Sequence, residues 1–223
     1  MEPPIASRKH TLIVTAIFVL IAAAGFLNSR HVAAAASASS RLPFYLSAIV
    51  LQWLLLRYLV FGVRRAGFSL LRVAGLTGRT PRALALDVLL GGAVFFALRL
   101  LLRFVASALG GYDDHAAAIL PRGRLESLVW IAVAITAGIC EELTFRGYLQ
   151  EQYARLSGSR LAGAAAQAVL FGLSHGYQGW KPCVVITTFG LGAAGVTLAR
   201  RSVLPMIVAH AVTDLVSGLT RAS

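Results

Sequence analysis

The sequence predicts an all-α fold, a polytopic transmembrane helical bundle of about seven membrane-spanning helices in a single membrane domain over residues 1–223. Three observations predict it. Of the 223 residues, 57% are hydrophobic and only 13% charged, with a mean hydropathy of +0.74; soluble domains carry about 45–50% apolar and about 25% charged residues. Apolar runs near the roughly 17–25 residues that a helix needs to cross a bilayer recur along the chain. Short polar or turn-forming stretches, rich in arginine, punctuate them.

Seven such runs are read in order: 11–27, 42–61, 83–109, 125–146, 162–177, 182–199 and 203–219. The first follows Arg8 and Lys9 and is longer than the apolar core of a usual secretory leader, so it reads as a span. The third and fourth are separated by "GGYDDH", the fourth and fifth by "LSGSR", and the sixth and seventh by "RRS". The fifth and seventh runs are short and are expected to tilt or to continue into their neighbours. No repeat of 20–50 residues is present.

The formal net charge of +12 is nearly all arginine. These arginines flank apolar runs as orientation signals do, which favours a lipid bilayer over nucleic acid as the partner. With the N-terminus inside, the cytoplasmic side holds 11 Lys/Arg (residues 8, 9, 64, 65, 72, 79, 82, 155, 160, 200 and 201). The outer side holds 6 (residues 30, 41, 122, 124, 181 and 221). The count places the N-terminus inside and the C-terminus outside, in a multi-pass protein of a bacterial-type cell membrane. Of the four arginines inside runs, Arg57 is expected to snorkel to an interface, and Arg99 with Arg103 to line a polar groove. Cys140 and Cys183 offer neither a disulfide framework nor a zinc-finger spacing.

"GICEELTFRGYLQ", residues 138–150, breaks the apolar rule most sharply. An ionisable residue at bilayer depth costs about 2.5–3.5 kcal/mol on insertion scales, so it faces protein or water and marks function. Glu142 and Arg146 stand four apart in acid-before-base order, the favourable arrangement on one helix face. Glu141 points about 100° away around the helix. Glu142 thus has a structural partner, and Glu141 is the one free for chemistry. Two more polar intrusions follow. "LFGLSH" carries His175, and "IVAHAVTD" carries His210 and Asp214 on one helix face. Each alone fits ordinary helix packing; together they form a constellation of acids and histidines within apolar segments.

Depth agrees with a shared site. Glu141 lies 17 residues before Gly158 and His175 lies 17 after it, so an antiparallel pair brings them level. If "GYLQEQYARLSGSR" projects past the membrane, the residues meet about 8–14 Å inside the cytoplasmic face, at about 1.5 Å per residue. A cavity open toward the cytoplasm is expected there.

Three motifs now stand in order on successive helices: E-E-x-x-x-R at Glu141, Glu142 and Arg146; F-x-x-x-H at Phe171 and His175; and H-x-x-x-N/D at His210 and Asp214. The set resembles the CPBP family of intramembrane proteases, whose best-known members are the type II CAAX prenyl endopeptidases. The resemblance covers a catalytic core of about 125–219. It implies an intramembrane endopeptidase acting on a membrane-associated peptide or protein near the cytoplasmic face, with CAAX-type C-terminal processing as one such activity. It also implies that Glu141 and His175 activate a water, while His210 and the residue at 214 stabilise the oxyanion or bind substrate. Glu142 and Arg146 support them. Prenyl-processing members often carry Asn where this chain has Asp214; an ionised Asp cannot donate to an oxyanion. Family members are described both as metalloproteases and as metal-free glutamate enzymes. Either no cofactor is needed, or Glu141, His175, His210 and Asp214 form a zinc set.

Two further patterns are set aside on context. Gly172-Leu-Ser174-His-Gly176 fits the nucleophile-elbow pattern, which needs a strand before it and a helix after it, but it lies within an apolar helix. The glycines at 190, 192 and 195 fit a dinucleotide fingerprint but read as close helix packing. H-E-x-x-H is absent. Two other function classes stay open: a proton-coupled transporter, since intramembrane Glu, His and Asp also build proton relays, and a catalytically silent family member acting as a scaffold or immunity factor.

Overall fold

In the computed structural model, residues 2–38, 40–111 and 118–220 are described. The expectations on residues 112–115 and on Arg221 lie outside them, as does the side chain of Arg30. All regular structure among the described residues is helical. The elements are α1 (Arg8–Ala38), α2 (Leu42–Arg65), α3 (Leu70–Val73), α4 (Pro81–Ala108), α5 (Gly123–Glu142), a π-helical segment (Leu143–Leu149), α6 (Gln150–Ser157), α7 (Arg160–Leu173), a 3₁₀ turn (Gly176–Gln178), α8 (Trp180–Arg200) and α9 (Leu204–Leu219).

Among these, five apolar stretches are long enough to cross a membrane: Arg8–Ser29, Leu42–Arg65, Pro81–Ala108, Gly123–Ser157 and Trp180–Arg200. The other two expected spans are shorter helices of 14 and 16 residues, α7 and α9. At about 1.5 Å per residue they fall short of a hydrocarbon core of about 30 Å. They are also the helices that carry the intrusive histidines or lead into them. The fourth span is correspondingly longer than expected, because α5, the π segment and α6 run on as one rod of 35 residues. The stretch expected to leave the membrane therefore stays helical, and Gln150, Gln152 and Ala154 are buried in it.

Local chemistry sets the ends. Thr80 accepts from the Ala83 amide at 3.2 Å and Pro81 opens α4, a side-chain cap followed by a residue with no amide hydrogen to satisfy. Gly158 sits at φ 72°, a left-handed conformation suited to a residue without Cβ, and closes α6. Ser159 then caps α7 by accepting from the Ala162 amide at 3.2 Å.

The helix that bears two of the predicted site residues, α9, is clasped between α4 and α5. A Cβ at Gly91 of α4 would stand 2.7 Å from the Pro205 carbonyl oxygen, and one at Gly138 of α5 would stand 2.9 Å from the Ile207 oxygen. Small residues let these backbones approach, as they do in membrane bundles generally. Gly190 of α8 likewise meets Ala168 of α7, and Gly192 meets Leu98, so two of the three glycines in the α8 pattern serve packing.

Polar networks tie each end of the bundle. At one end Asp87, fully buried, receives Arg79 at 2.7 Å and Arg200 at 2.6 Å, and Arg79 also donates to the Arg200 carbonyl. Gln152 holds the start of the chain through the Ile5 amide at 2.8 Å and the Ala6 carbonyl at 3.0 Å. At the other end Glu126 accepts from the Arg41 amide at 2.9 Å and the Arg122 amide at 2.8 Å, and Arg41 donates to the Ala118 carbonyl. Arg79 and Arg200 thus share one network, and Arg41 and Arg122 another. Of the pair expected to line a polar groove, Arg103 is exposed, and Arg99 lies half-buried with its guanidinium 5.9 Å from the Phe95 ring centre.

Candidate active site

Glu141 and Glu142 occupy the last turn of α5, immediately before the chain widens into the π segment. π turns inside α-helices occur frequently at functional sites. This one carries Arg146, and Gly147 in it packs against Ala74, where a Cβ would stand 3.3 Å from the alanine methyl. Hydrophobic periodicity gave no sign of it.

Glu142 and Arg146 are both fully buried, with Arg146 Nη1 donating to Glu142 Oε1 at 3.0 Å. The guanidinium is sandwiched as well, its carbon 4.4 Å from the Phe171 ring centre and 5.6 Å from that of Phe189. A desolvated cation over aromatic faces gains from their quadrupoles. Phe171 thereby acquires a role beyond spacing His175, and Phe189 joins a site in which no motif had placed it.

Glu142 also does what its sequence partner did not announce. Its Oε1 lies 2.7 Å from His210 Nδ1. A carboxylate only accepts, so Nδ1 carries the proton that it donates. The opposite nitrogen, Nε2, then faces the other two acids, with Glu141 Oε2 at 3.8 Å and Asp214 Oδ2 at 3.7 Å. Glu141 Oε2 is buried and has no hydrogen-bond partner among the described residues. Its side chain as a whole keeps 20% exposure and that of Asp214 30%, so the cluster opens outward on their side. The α9 backbone at Asp214 is pinned by Trp130, whose indole Nε1 donates to the Asp214 carbonyl at 2.8 Å.

His175 follows the end of α7. Its Nδ1 meets the Phe171 carbonyl at 2.8 Å, which leaves Nε2 as the nitrogen turned elsewhere. The rings of His175 and His210 both lie edge-on to Phe171, at 4.9 and 6.1 Å between centres. The structure therefore gathers Glu141, Glu142, Arg146, His210 and Asp214 directly, and sets His175 beside them across one phenyl ring. Among the described residues no hydrogen bond joins His175 to Glu141, His210 or Asp214. Ser174 Oγ donates to the Phe171 carbonyl at 2.7 Å, within the helix end rather than on a strand-to-helix turn.

The zinc set read from the sequence does not fit this arrangement. Among the described residues no three His, Cys, Asp or Glu side chains converge as ligands of one ion. Nδ1 of each histidine is engaged, His210 by Glu142 and His175 by a backbone carbonyl, which leaves Nε2 of each as the available nitrogen and does not bear on ligation. Two concavities of about 430 and 620 Å³ lie away from this cluster, lined by residues at the start of α1 and the end of α2.

Compared with known proteins, residues 123–216 match the family model described as Type II CAAX prenyl endopeptidase Rce1-like. The matched stretch begins with α5 and ends within α9, and holds every residue of the cluster. No curated protein and no solved structure matches the chain.

Proposed function

We propose, from the match of residues 123–216 to the Rce1-like family model, that the chain is an intramembrane endopeptidase that hydrolyses a peptide bond with a water activated by Glu141 and His175. The observation that carries the reading is the buried, unpartnered Oε2 of Glu141 facing His210. A carboxylate with a free oxygen in a mostly dry site is a proton acceptor waiting for a donor, and a substrate-side water supplies one.

The roles divide by geometry. Glu141 takes the proton of the attacking water. His175, with Nδ1 satisfied by Phe171, uses Nε2 to position that water. His210 is oriented by Glu142 through Nδ1 and, when Nε2 is protonated, presents a preorganised donor to the oxyanion that develops on the scissile carbonyl. Asp214 orients His210 from the other side. Arg146 holds Glu142, so it and Glu142 are positioning residues. The substrate is a membrane-associated peptide or protein, and the family match supports a C-terminal CAAX segment as the first to try.

Incubation of the purified full chain in detergent or bilayer discs with a prenylated CAAX peptide, followed by mass spectrometry of the products, tests the reading. Release of the last three residues by the native chain and not by Glu141→Gln is the expected result. Cleavage that persists undiminished in Glu141→Gln overturns the glutamate mechanism. A folded chain that cleaves neither this peptide nor a panel of unprenylated membrane peptides is a silent member of its family.

A further inference from the structure

The two cavities away from the active site adjoin one another, sharing Phe61 and Arg65 in their walls. Together they form a groove between the start of α1 and the end of α2, outside the stretch that matches the Rce1-like family model. Five cations line it: Arg8 and Lys9 from α1, and Arg57, Arg64 and Arg65 from α2. No Asp or Glu lines either cavity, and none of the five cations forms a salt bridge among the described residues. Glu2, close by in sequence, is engaged with Arg155 at 2.9 Å.

Arginines near the end of a span serve orientation, and Arg64 and Arg65 also suit the negative end of the α2 dipole. The dipole does not cover the rest. Arg8 and Lys9 sit in the first turn of α1, where the helix dipole disfavours cations, and that turn contains no acid. Arg57 stands two turns back from the end of α2. Their concentration around one concavity is electrostatically costly without an anion in it.

We propose that this groove binds a phosphate-bearing anion, the headgroup of an anionic phospholipid. Clusters of Lys and Arg beside membrane helices attract anionic lipid at about 1 kcal/mol per residue. The arginine fork matches phosphate oxygens in pairs. The walls suit a lipid: Arg65 lies with its guanidinium carbon 5.5 Å from the Phe61 ring centre, and Leu54 and Phe61 of α2 with Leu12 of α1 are exposed apolar surfaces along which acyl chains run. The groove is also wired to the catalytic segment. His10, in its wall, stands 2.9 Å from the hydroxyl of Tyr148 in the π segment. The proposal does not depend on peptidase activity.

Native mass spectrometry of the full chain in neutral detergent, titrated in parallel with dioctanoyl phosphatidylglycerol, dioctanoyl phosphatidylcholine and inorganic phosphate, tests it. The anionic lipid is expected to bind at least ~10-fold more tightly than the zwitterionic one. The triple variant Arg57→Gln, Arg64→Gln, Arg65→Gln loses that preference. The triple exchange of the same residues to Lys retains part of it, and Arg72→Gln with Arg124→Gln, which removes charges outside the groove, leaves it intact. Groove-dependent binding of inorganic phosphate as tight as that of the anionic lipid assigns the site to the free anion and overturns the lipid occupant. Equal binding of the two lipids, or an unchanged preference in a triple Gln variant that elutes and melts as the native chain does, overturns the site itself.

Discussion

His210 Nδ1 lies 2.7 Å from Glu142 Oε1, the same oxygen that accepts from Arg146 Nη1 at 3.0 Å. One buried carboxylate oxygen thus joins the π segment to α9, and the guanidinium it holds is stacked on Phe171 and Phe189. The acid that helix spacing assigned to structure is the one that sets the direction of the histidine.

That sharing predicts a large cost for breaking it. Arg146→Ala leaves Glu142 buried without its cation, and Glu142→Gln leaves Arg146 so. Removing one partner of a buried pair costs about 3–5 kcal/mol. Each variant should lower the unfolding midpoint in detergent markedly, and the double variant Glu142→Gln with Arg146→Met should cost less than the sum of the two, because neither charge is then stranded. Strict additivity in that cycle would show that the pair is not coupled.

The all-α membrane class was legible because composition and run length are summed over the whole chain. The site was legible in part. Spacing of four on a helix is local, so the Glu142–Arg146 pair could be read directly, whereas the Glu142–His210 contact joins residues 68 apart and leaves no periodic trace. Phe189 and Trp130 entered the site for the same reason, by packing between helices. The π segment was invisible, since its seven residues continue an apolar helix pattern without a break. The fifth run continues four residues past Leu173, where the chain leaves the helix, because hydropathy does not register that exit, whereas the seventh matches α9 to within one residue.

Close approach at α9 gives the next prediction. In Gly138→Ala the new methyl would stand 2.9 Å from the Ile207 oxygen and 3.0 Å from the Ala211 Cβ, so α9 must shift. Overpacking of this kind costs about 1–3 kcal/mol. Because His210 and Asp214 ride on α9, hydrolysis should fall as well as the melting temperature. Gly195→Ala, with open space at its Cβ, should change neither. Equal behaviour of the two variants would mean that α9 is not tightly held.

Orientation follows from the grouping of arginines at the two ends. Arg72 and Arg124 are both exposed and lie at opposite ends by the contacts described. In intact cells, Arg124→Cys should react with a membrane-impermeant maleimide and Arg72→Cys should not. The native Cys140 and Cys183 are buried, which keeps the background low. Labelling at 72 and not at 124 would invert the topology and move the site to the outer face.

The chemistry itself rests on three side chains that respond differently. Glu141→Gln keeps size and hydrogen bonding but removes the proton acceptor, so hydrolysis should drop by at least ~10²-fold while the fold persists. Ser174→Ala removes a hydroxyl that donates to the Phe171 carbonyl at 2.7 Å and lies at a longer 3.4 Å from His175 Nδ1, which keeps its own 2.8 Å bond to that carbonyl, and should change the rate little. Asp214 divides the two forms of the mechanism. It lies 3.7 Å from His210 Nε2, and the four expected ligands do not converge on one point. Asp214→Asn should therefore retain substantial activity, since Asn keeps the shape and adds a donor for the oxyanion. A membrane-permeable chelator should leave the native rate unchanged. Loss of activity in Asp214→Asn together with chelator inhibition that added zinc reverses would require the four groups to close around a metal during turnover, and would replace the metal-free roles assigned to Glu141 and His210.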